Sequence, residues 1–377
     1  MTALPTYERW GDLTGKRVLV RVDFNTPVAE VEGELRVTDD FRIRSTIPLF
    51  EDLLRRGATV VACTHFGRPK GQVVAKYSVA PVRARLNELC ENVELMENLR
   101  FNPGEESNDP AFGASLVEGF DYYINEAFSA SHREHASIMQ PPRLIPSAAG
   151  PNLQREVTTI QSLLTSPERP FVAIVGGAKV ADKLGIVRVL ADKADTVVVG
   201  GGMAFTFEVA QGRTIGSSLF DGSNLGECAA LMKEGNVLIP EDSCGLKDGQ
   251  PFGDGGDDEV IDFGANVPDG FVGLDIGPKA VATFCAAIGD AKTILWNGPM
   301  GVFEDPRFSA GTEAVARAVA ASSAVSVIGG GDSVAALQSY GLEDQVTFVS
   351  TGGGASLELV ELGDLPGLRA LRESPFR

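Results

Sequence analysis

Short apolar runs alternate with amphipathic stretches along almost the whole chain. Runs of strand length lie at 17–24 (RVLVRVDF), 58–64, 93–96, 121–124, 171–175, 196–199, 292–296, 325–328 and 346–350. Between them, 39–56, 79–90, 180–193, 278–290 and 312–323 carry apolar residues at helical spacing. In 39–56 these are Phe41, Ile43, Ile47, Leu49, Phe50, Leu53 and Leu54, with charges between. Strand–helix alternation predicts right-handed βαβ units and parallel sheets, an α/β architecture. Apolar runs without internal alternation fit strands buried on both faces. The series is interrupted where Pro141, Pro142, Pro146, Gly150 and Pro151 cluster, with Pro167 and Pro170 following and one helix, QREVTTIQSLL, between them. Two α/β arrays joined by that helix are therefore expected. Their bounds are 1–149, a helix over 150–166, and 167–355, which suits a chain of 377 residues. The acidic, glycine-rich stretch 247–273 reads as a long surface excursion inside the second domain.

Composition narrows the partners. Lys+Arg number 33 against 51 Asp+Glu, a formal charge of −18, which argues against broad nucleic-acid or anionic-membrane binding. Only ten of the bases are lysines. Few lysines among many acids suit a salt-rich cytoplasm, the alternative being an ordinary acidic cytosolic protein. Cys63, Cys90, Cys228, Cys244 and Cys285 are odd in number and widely spaced, so neither a disulfide framework nor a zinc ribbon is expected. The N-terminal MTALPTYERWGDLTGK has no apolar core of a signal peptide, and no run of 18 apolar residues occurs. A soluble, reduced, cytoplasmic protein is expected.

Parallel α/β sheets bind ligands at the carboxyl ends of their strands. In the first half those ends carry Arg21, Asp23 and Asn25, then His65 and Arg68, then Arg100, then His132, Arg133 and His135; the helix after the first strand adds Arg42. Arginines and histidines converging there suit a small polyanion such as a phosphate with a carboxylate. One such arginine alone would more simply be solvated or pair with a local acid. In the second half the strand ends read GGAKVADK (176–183), GGGMAFTF (200–207), WNGPMGVFE (296–304), GGGDS (329–333) and STGGGAS (350–356). Glycines let the backbone approach a ligand, and helix N-termini offer N–H groups to phosphate. Neither GxxxxGK[ST] nor a clean GxGxxG is present, which excludes an ordinary P-loop NTPase and a standard dinucleotide fold. Lys179 and Lys183, at i and i+4 of a presumed helix start, would share one face. Asp332 is a candidate ligand for phosphate-bound Mg²⁺ or a helix N-cap. Glu304 could accept from ribose hydroxyls or be a surface carboxylate.

These strings, in this order, resemble phosphoglycerate kinase over nearly the whole chain. They include RVDFNTP (21–27), DDFRIR (39–44), THFGRPKG (64–71), ENLRFNPGEE (97–106), NEAFSASHREHAS (125–137), LDIGP (274–278) and TGGGASLEL (351–359), besides the glycine turns. The resemblance implies two Rossmann-like domains, each a parallel sheet flanked by helices, joined by a hinge helix. It also implies a C-terminal segment, 356–377, returning to the first domain. It implies reversible transfer between 1,3-bisphosphoglycerate with ADP and 3-phosphoglycerate with ATP, using Mg²⁺. Both acceptors are anionic at neutral pH, so alignment and charge stabilisation suffice without a general base.

By motif match the glycerate site is Arg21, Asp23, Asn25, Arg42, His65, Arg68, Arg100 and Arg133. The nucleotide site is Gly177, Lys179, Lys183, Gly201, Gly202, Asn297, Pro299, Val302 and Glu304, with Gly330, Gly331, Asp332 and Ser333 around phosphate and metal. Thr351, Gly352 and Gly353 complete the cradle. Arg42, Lys179 and Lys183 would be catalytic, and Asp332 would hold the metal. The partners implied are small molecules, with no nucleic acid or membrane, and the protein is expected to act as a monomer. Two other classes fit less well: a non-catalytic nucleotide-binding scaffold, against which both lysines, Arg42 and Asp332 argue, and an NAD-dependent oxidoreductase, which the missing GxGxxG disfavours.

Overall fold

The structure, a computed structural model, describes residues 3–376. Its backbone separates into two compact units. One comprises residues up to Thr158 together with those from Leu362; the other is Thr159–Glu361. The first change of unit falls inside the helix Pro151–Thr165 and the second at the end of the helix Gly354–Leu362.

The first unit is built on a five-stranded parallel sheet. In spatial order its strands are Val93–Leu95, Thr59–Cys63, Arg17–Arg21, Tyr122–Asn125 and Ser147–Ala149. The chain lays two strands on one side of Arg17–Arg21 and then crosses to the other side. The topological switch point thus lies between Arg17–Arg21 and Tyr122–Asn125, with Arg21 opposite Asn125. Leu49, Phe50 and Leu53 of the helix Ile47–Arg55 bury against this sheet, and Phe50 meets Phe24 edge to face. The helix Pro366–Arg372 also belongs to this unit and packs on Ala136–Met139. Gly367 donates to the Ser131 carbonyl at 2.8 Å.

The second unit holds six parallel strands in the order Val237–Leu238, Thr196–Val199, Phe171–Val175, Thr293–Asn297, Val325–Gly329 and Phe348–Val349. Every residue of Phe171–Val175 and Thr293–Asn297 is buried. That is why their sequence runs are apolar without alternation. The switch point lies between these two strands, where Val175 pairs with Asn297.

Several elements differ from the sequence expectation. Arg42 does not follow the first strand directly, because a two-stranded hairpin, Val28–Val31 with Glu34–Val37, intervenes. Its strands are largely exposed, so no apolar run marks them. The helix expected over 39–56 is two helices, Phe41–Arg44 and Ile47–Arg55, the second starting with Pro48 in its first turn. Ser147–Ala149 and Val237–Leu238 are strands too short to read. The stretch 247–273 is not only surface excursion. Ser243–Lys247, Ile261–Phe263 and Phe271–Ile276 form a three-stranded antiparallel sheet within the second unit. Among the described residues all five cysteines are free thiols, and no helix is long and apolar enough to cross a membrane.

Candidate active site

At the first switch point the strand ends bring together Arg21, His65, Arg100, Arg133, His132 and His135. Arg21 is completely buried. Its guanidinium donates to Ser137 Oγ at 2.8 Å, to the Val22 carbonyl at 2.5 Å and to His65 Nδ1 at 3.2 Å. Because a guanidinium only donates, Nδ1 of His65 must accept, so the ring is neutral and carries its proton on Nε2. Burial lowers the His65 pKa well below its usual value; Asp23 opposes this, and Arg21, Arg100 and Arg133 add to it. Burial first, then Arg100, Arg21, Arg133 and His132, also brings His135 down to about 3. The histidines are uncharged members of a cationic cluster.

The cluster rests on a carboxylate that the sequence reading missed. Glu105 is completely buried, 4.0 Å from Arg21. Ser137 bridges the two: its hydroxyl accepts from Arg21 and donates to Glu105 Oε1 at 2.7 Å, while its amide donates to Oε2 at 2.9 Å. The signal was Asn102-Pro103-Gly104-Glu105, an N-cap and proline opening a helix, with the Asn102 side chain accepting from Gly104 N at 2.8 Å.

The arginines divide by their partners. Arg21 has each of its three guanidinium nitrogens engaged within the protein. Arg100 is buried, donates to the Gly67 carbonyl at 2.8 Å and lies 3.2 Å from Glu106. Arg42 pairs with Asp23, which also accepts from Ser129. Burial would raise the Asp23 pKa, but the Arg42 guanidinium, the Ser129 hydroxyl and the Asn25 amide together hold it down. Asn25 accepts from Gly67 N at 2.9 Å and so ties two strand-end loops together. Arg68 is exposed and Arg133 half-buried, and neither side chain has an ion pair or hydrogen-bond partner among the described residues. Their donors are open to a ligand.

At the second switch point a cavity of about 550 Å³ opens. Gly177, Gly201, Gly202, Pro299, Val302, Glu304 and Asp332, all expected from the sequence, line it. Lys179, Lys183, Asn297, Gly330, Gly331, Ser333, Thr351, Gly352 and Gly353 are not on its wall. The glycine turns do something different from the expected cradle. Gly177 N donates to the Pro299 carbonyl at 3.0 Å, Gly201 N to Met300 O at 2.9 Å, and Gly298 N to Ser333 Oγ at 2.5 Å. These amides bind neighbouring turns rather than standing free. Glycine is required because the turns touch: a Cβ on Gly201 would lie 2.6 Å from Gly177 N, and its φ is +67°. The unpaired amides are instead those opening the helix Gly331–Ser339.

The two lysines also part company. The helix starts at Leu184, not before Lys179, so the pair does not share a helical face. Lys179 is exposed in the preceding turn. Lys183 sits at the N-cap position, its ammonium donating to Gly176 O at 2.6 Å and to Asn297 Oδ1 at 2.8 Å. Burial, opposed by Asp332 and Asp182, lowers its pKa to about 8. Asp332 is exposed in the first turn of its helix and does not cap it; Gly330 is the N-cap residue. Thr351 is exposed, and Gly352 N donates to Ser350 Oγ at 3.1 Å.

The far wall of the cavity is apolar: Phe205, Leu219, Phe252, Val272, Leu274 and Ile276. Gln250 and Phe252 come from the stretch expected to be surface excursion. A clamp holds them: Arg307 grips both oxygens of Asp305 at 3.0 and 2.8 Å and the Pro251 carbonyl at 3.0 Å, while Gly253 N donates to Asp305 at 3.0 Å. Two buried acids, Glu208 and Asp275, also reach this wall, and burial raises each to about 7.

A parallel sheet whose switch point gathers arginines, and another whose switch point opens a glycine-walled cavity, define a two-domain α/β phosphotransferase. The comparisons specify it further. Residues 9–96 and 90–362 match the family model of phosphoglycerate kinase. A phosphoglycerate kinase of Rubrobacter xylanophilus is 47% identical, covering 96% of this chain and 97% of its own; that of Moorella thermoacetica is 44% identical, covering 96% and 98%. The solved structure of the Coxiella burnetii enzyme superposes with a TM-score of 0.89 at 34% identity, covering 98% and 99%. The chain belongs to the phosphoglycerate kinase family.

Proposed function

We propose that the protein transfers a phosphoryl group reversibly between 1,3-bisphosphoglycerate with ADP and 3-phosphoglycerate with ATP, as a monomeric cytoplasmic enzyme. The observation that carries this reading is the pairing of chemistries: free guanidiniums at one switch point, a glycine-walled cavity with an apolar far end at the other. Arg68 and Arg133 grip the anionic ends of the glycerate. His65 Nε2–H adds a neutral donor, and Arg42, steadied by Asp23, faces the transferring group. The nucleotide lies in the cavity, with its phosphates toward the helix N-terminus at Gly331 and Glu304 accepting from ribose. Lys183 withdraws from the Gly176 and Asn297 carbonyls to meet the developing phosphoryl charge.

Mg²⁺ is bound in such sites by one or two carboxylates plus substrate phosphates. Asp332, exposed on the cavity wall without a capping role, fits that requirement. When bound, the metal neutralises phosphate charge. No residue needs to remove a proton, because both acceptor oxygens are anionic. The substrates must meet in a dry gap, so the reaction includes closure of the two units. A coupled assay of ATP consumption with 3-phosphoglycerate tests the proposal, and absence of turnover with folded protein overturns it.

A further inference from the structure

Glu208 is a carboxyl with no work to do in the account so far. It lies on the helix Ala204–Ala210, one turn beyond the Gly201–Gly202 turn, and lines the cavity while only 3% exposed. Among the described residues no hydrogen bond reaches its side-chain oxygens. Among the described residues the charged group acting on it is Arg213, whose guanidinium is already engaged with the Pro240 carbonyl at 2.6 Å. On the helix packed against it, Glu227 is paired with Arg188. Across the cavity, Asp275 accepts from Gly311 N at 2.8 Å and Ile276 N at 2.9 Å. A buried carboxyl left without a partner is costly unless something enters to bind it. Its immediate cavity neighbours, Phe205 and Ala204, and the wall of Leu219, Phe252 and Leu274, suit a flat apolar ring.

We infer that Glu208 reads the base of the bound nucleotide, pairing its carboxyl with the amino group and adjacent ring nitrogen of adenine. The inference rests on the assignment of this cavity to the nucleotide. A protonated carboxyl is one donor beside one acceptor. Adenine offers the complement, an N7 acceptor beside an N6 amino donor, whereas guanine shows two acceptors, N7 and O6, on that edge. Burial, opposed by Arg213, raises the Glu208 pKa to about 7, so the pairing form is present below neutrality. Above it the ionised group can still accept from the amino group but cannot donate to the ring nitrogen.

The test is calorimetric titration of the full chain with ADP and GDP at pH 6 and pH 8.5, using wild type, Glu208→Gln and Glu208→Leu. Comparing the two nucleotides cancels the titration of their phosphates, which they share. Wild type should prefer ADP by about tenfold at pH 6, the worth of one bidentate base contact, and lose most of that preference at pH 8.5. Glu208→Gln, whose amide also pairs a donor with an acceptor, should keep the preference at both pH values. Glu208→Leu, which fills the same apolar space, should lose it at both. An unchanged ADP:GDP ratio in Glu208→Leu overturns the base-reading role while leaving the nucleotide site intact. Failure of wild type to bind either nucleotide overturns the cavity assignment itself, and the inference with it.

Discussion

In the first unit the charge at the switch point sits on side chains, and those charges must be held together against their own repulsion. Glu105, buried beneath Arg21 and relayed through Ser137, supplies the counter-charge, and burial keeps three histidines neutral. In the second unit the walls are main chain. Glycine turns bond to one another, and the half-buried ammonium of Lys183 is spent on the Gly176 carbonyl and the Asn297 side-chain oxygen. One site is preorganised by electrostatic balance, the other by close backbone packing. Each should therefore fail in its own way.

The sharpest separation is catalytic. Lys183→Ala should lower kcat by about 10²–10³-fold, the scale for removing one electrostatic stabiliser. Steady-state kinetics with saturating ATP would show it, and near-normal kcat would remove Lys183 from the chemistry. Next is the buried counter-ion. Glu105→Gln leaves Arg21 buried without its charge partner and should cost about 3–5 kcal/mol in urea denaturation. A loss under about 1 kcal/mol would mean the cluster does not depend on it. Gly201→Ala should cost about 1–3 kcal/mol and weaken ADP binding, because the new Cβ meets Gly177 N and φ is positive. Glycerate binding by the same variant should be unchanged.

The pH response should also split. His65, His132 and His135 have folded pKa values below their unfolded one, so the folded state binds fewer protons and stability falls as pH drops below about 6.5. Glu126, raised by burial to about 8, opposes this within the first unit. Glu208 and Asp275 are raised to about 7, so their contribution is present at low pH and fades as pH rises from the ordinary carboxylate range toward 7. Segment-resolved hydrogen exchange between pH 4.5 and 6.5 should thus show the first unit gaining protection with rising pH and the second losing it. Parallel trends would break the comparison. The smallest stability effect is expected for Arg133→Ala, within about 0.5 kcal/mol of wild type because the side chain has no protein partner, yet with a raised KM for 3-phosphoglycerate.

Much of this was legible in the chain. The buried parallel strands announce themselves as unbroken apolar runs, and Phe171–Val175 and Thr196–Val199 coincide with their runs. Hairpin strands with exposed faces, and antiparallel strands inside an acidic, glycine-rich stretch, give no such signal. At the sites, residue type revealed where charge gathers but not who already holds it. Arg21 and Arg133 look alike in sequence; one is enclosed by Ser137, Val22 and His65, the other is open. Lys179 and Lys183 looked like a helical pair until the helix began one residue after the second. Glu105, Glu208 and Asp275 were invisible as functional groups because a carboxylate's burial depends on contacts far along the chain.

The helix Pro366–Arg372 has a consequence for how the protein is made. Leu368 and Leu371 are fully buried in a unit whose other residues end at Thr158, and Gly367 holds Ser131, next to His132 and Arg133. The second unit is in effect inserted into the first. On a ribosome adding roughly 5–20 residues per second, the first unit waits on the order of ten seconds or more for its last helix. During that interval the loop bearing Arg133 lacks its support, so a nascent chain stalled before Pro366 should bind glycerate poorly even with every glycerate-site residue already synthesised.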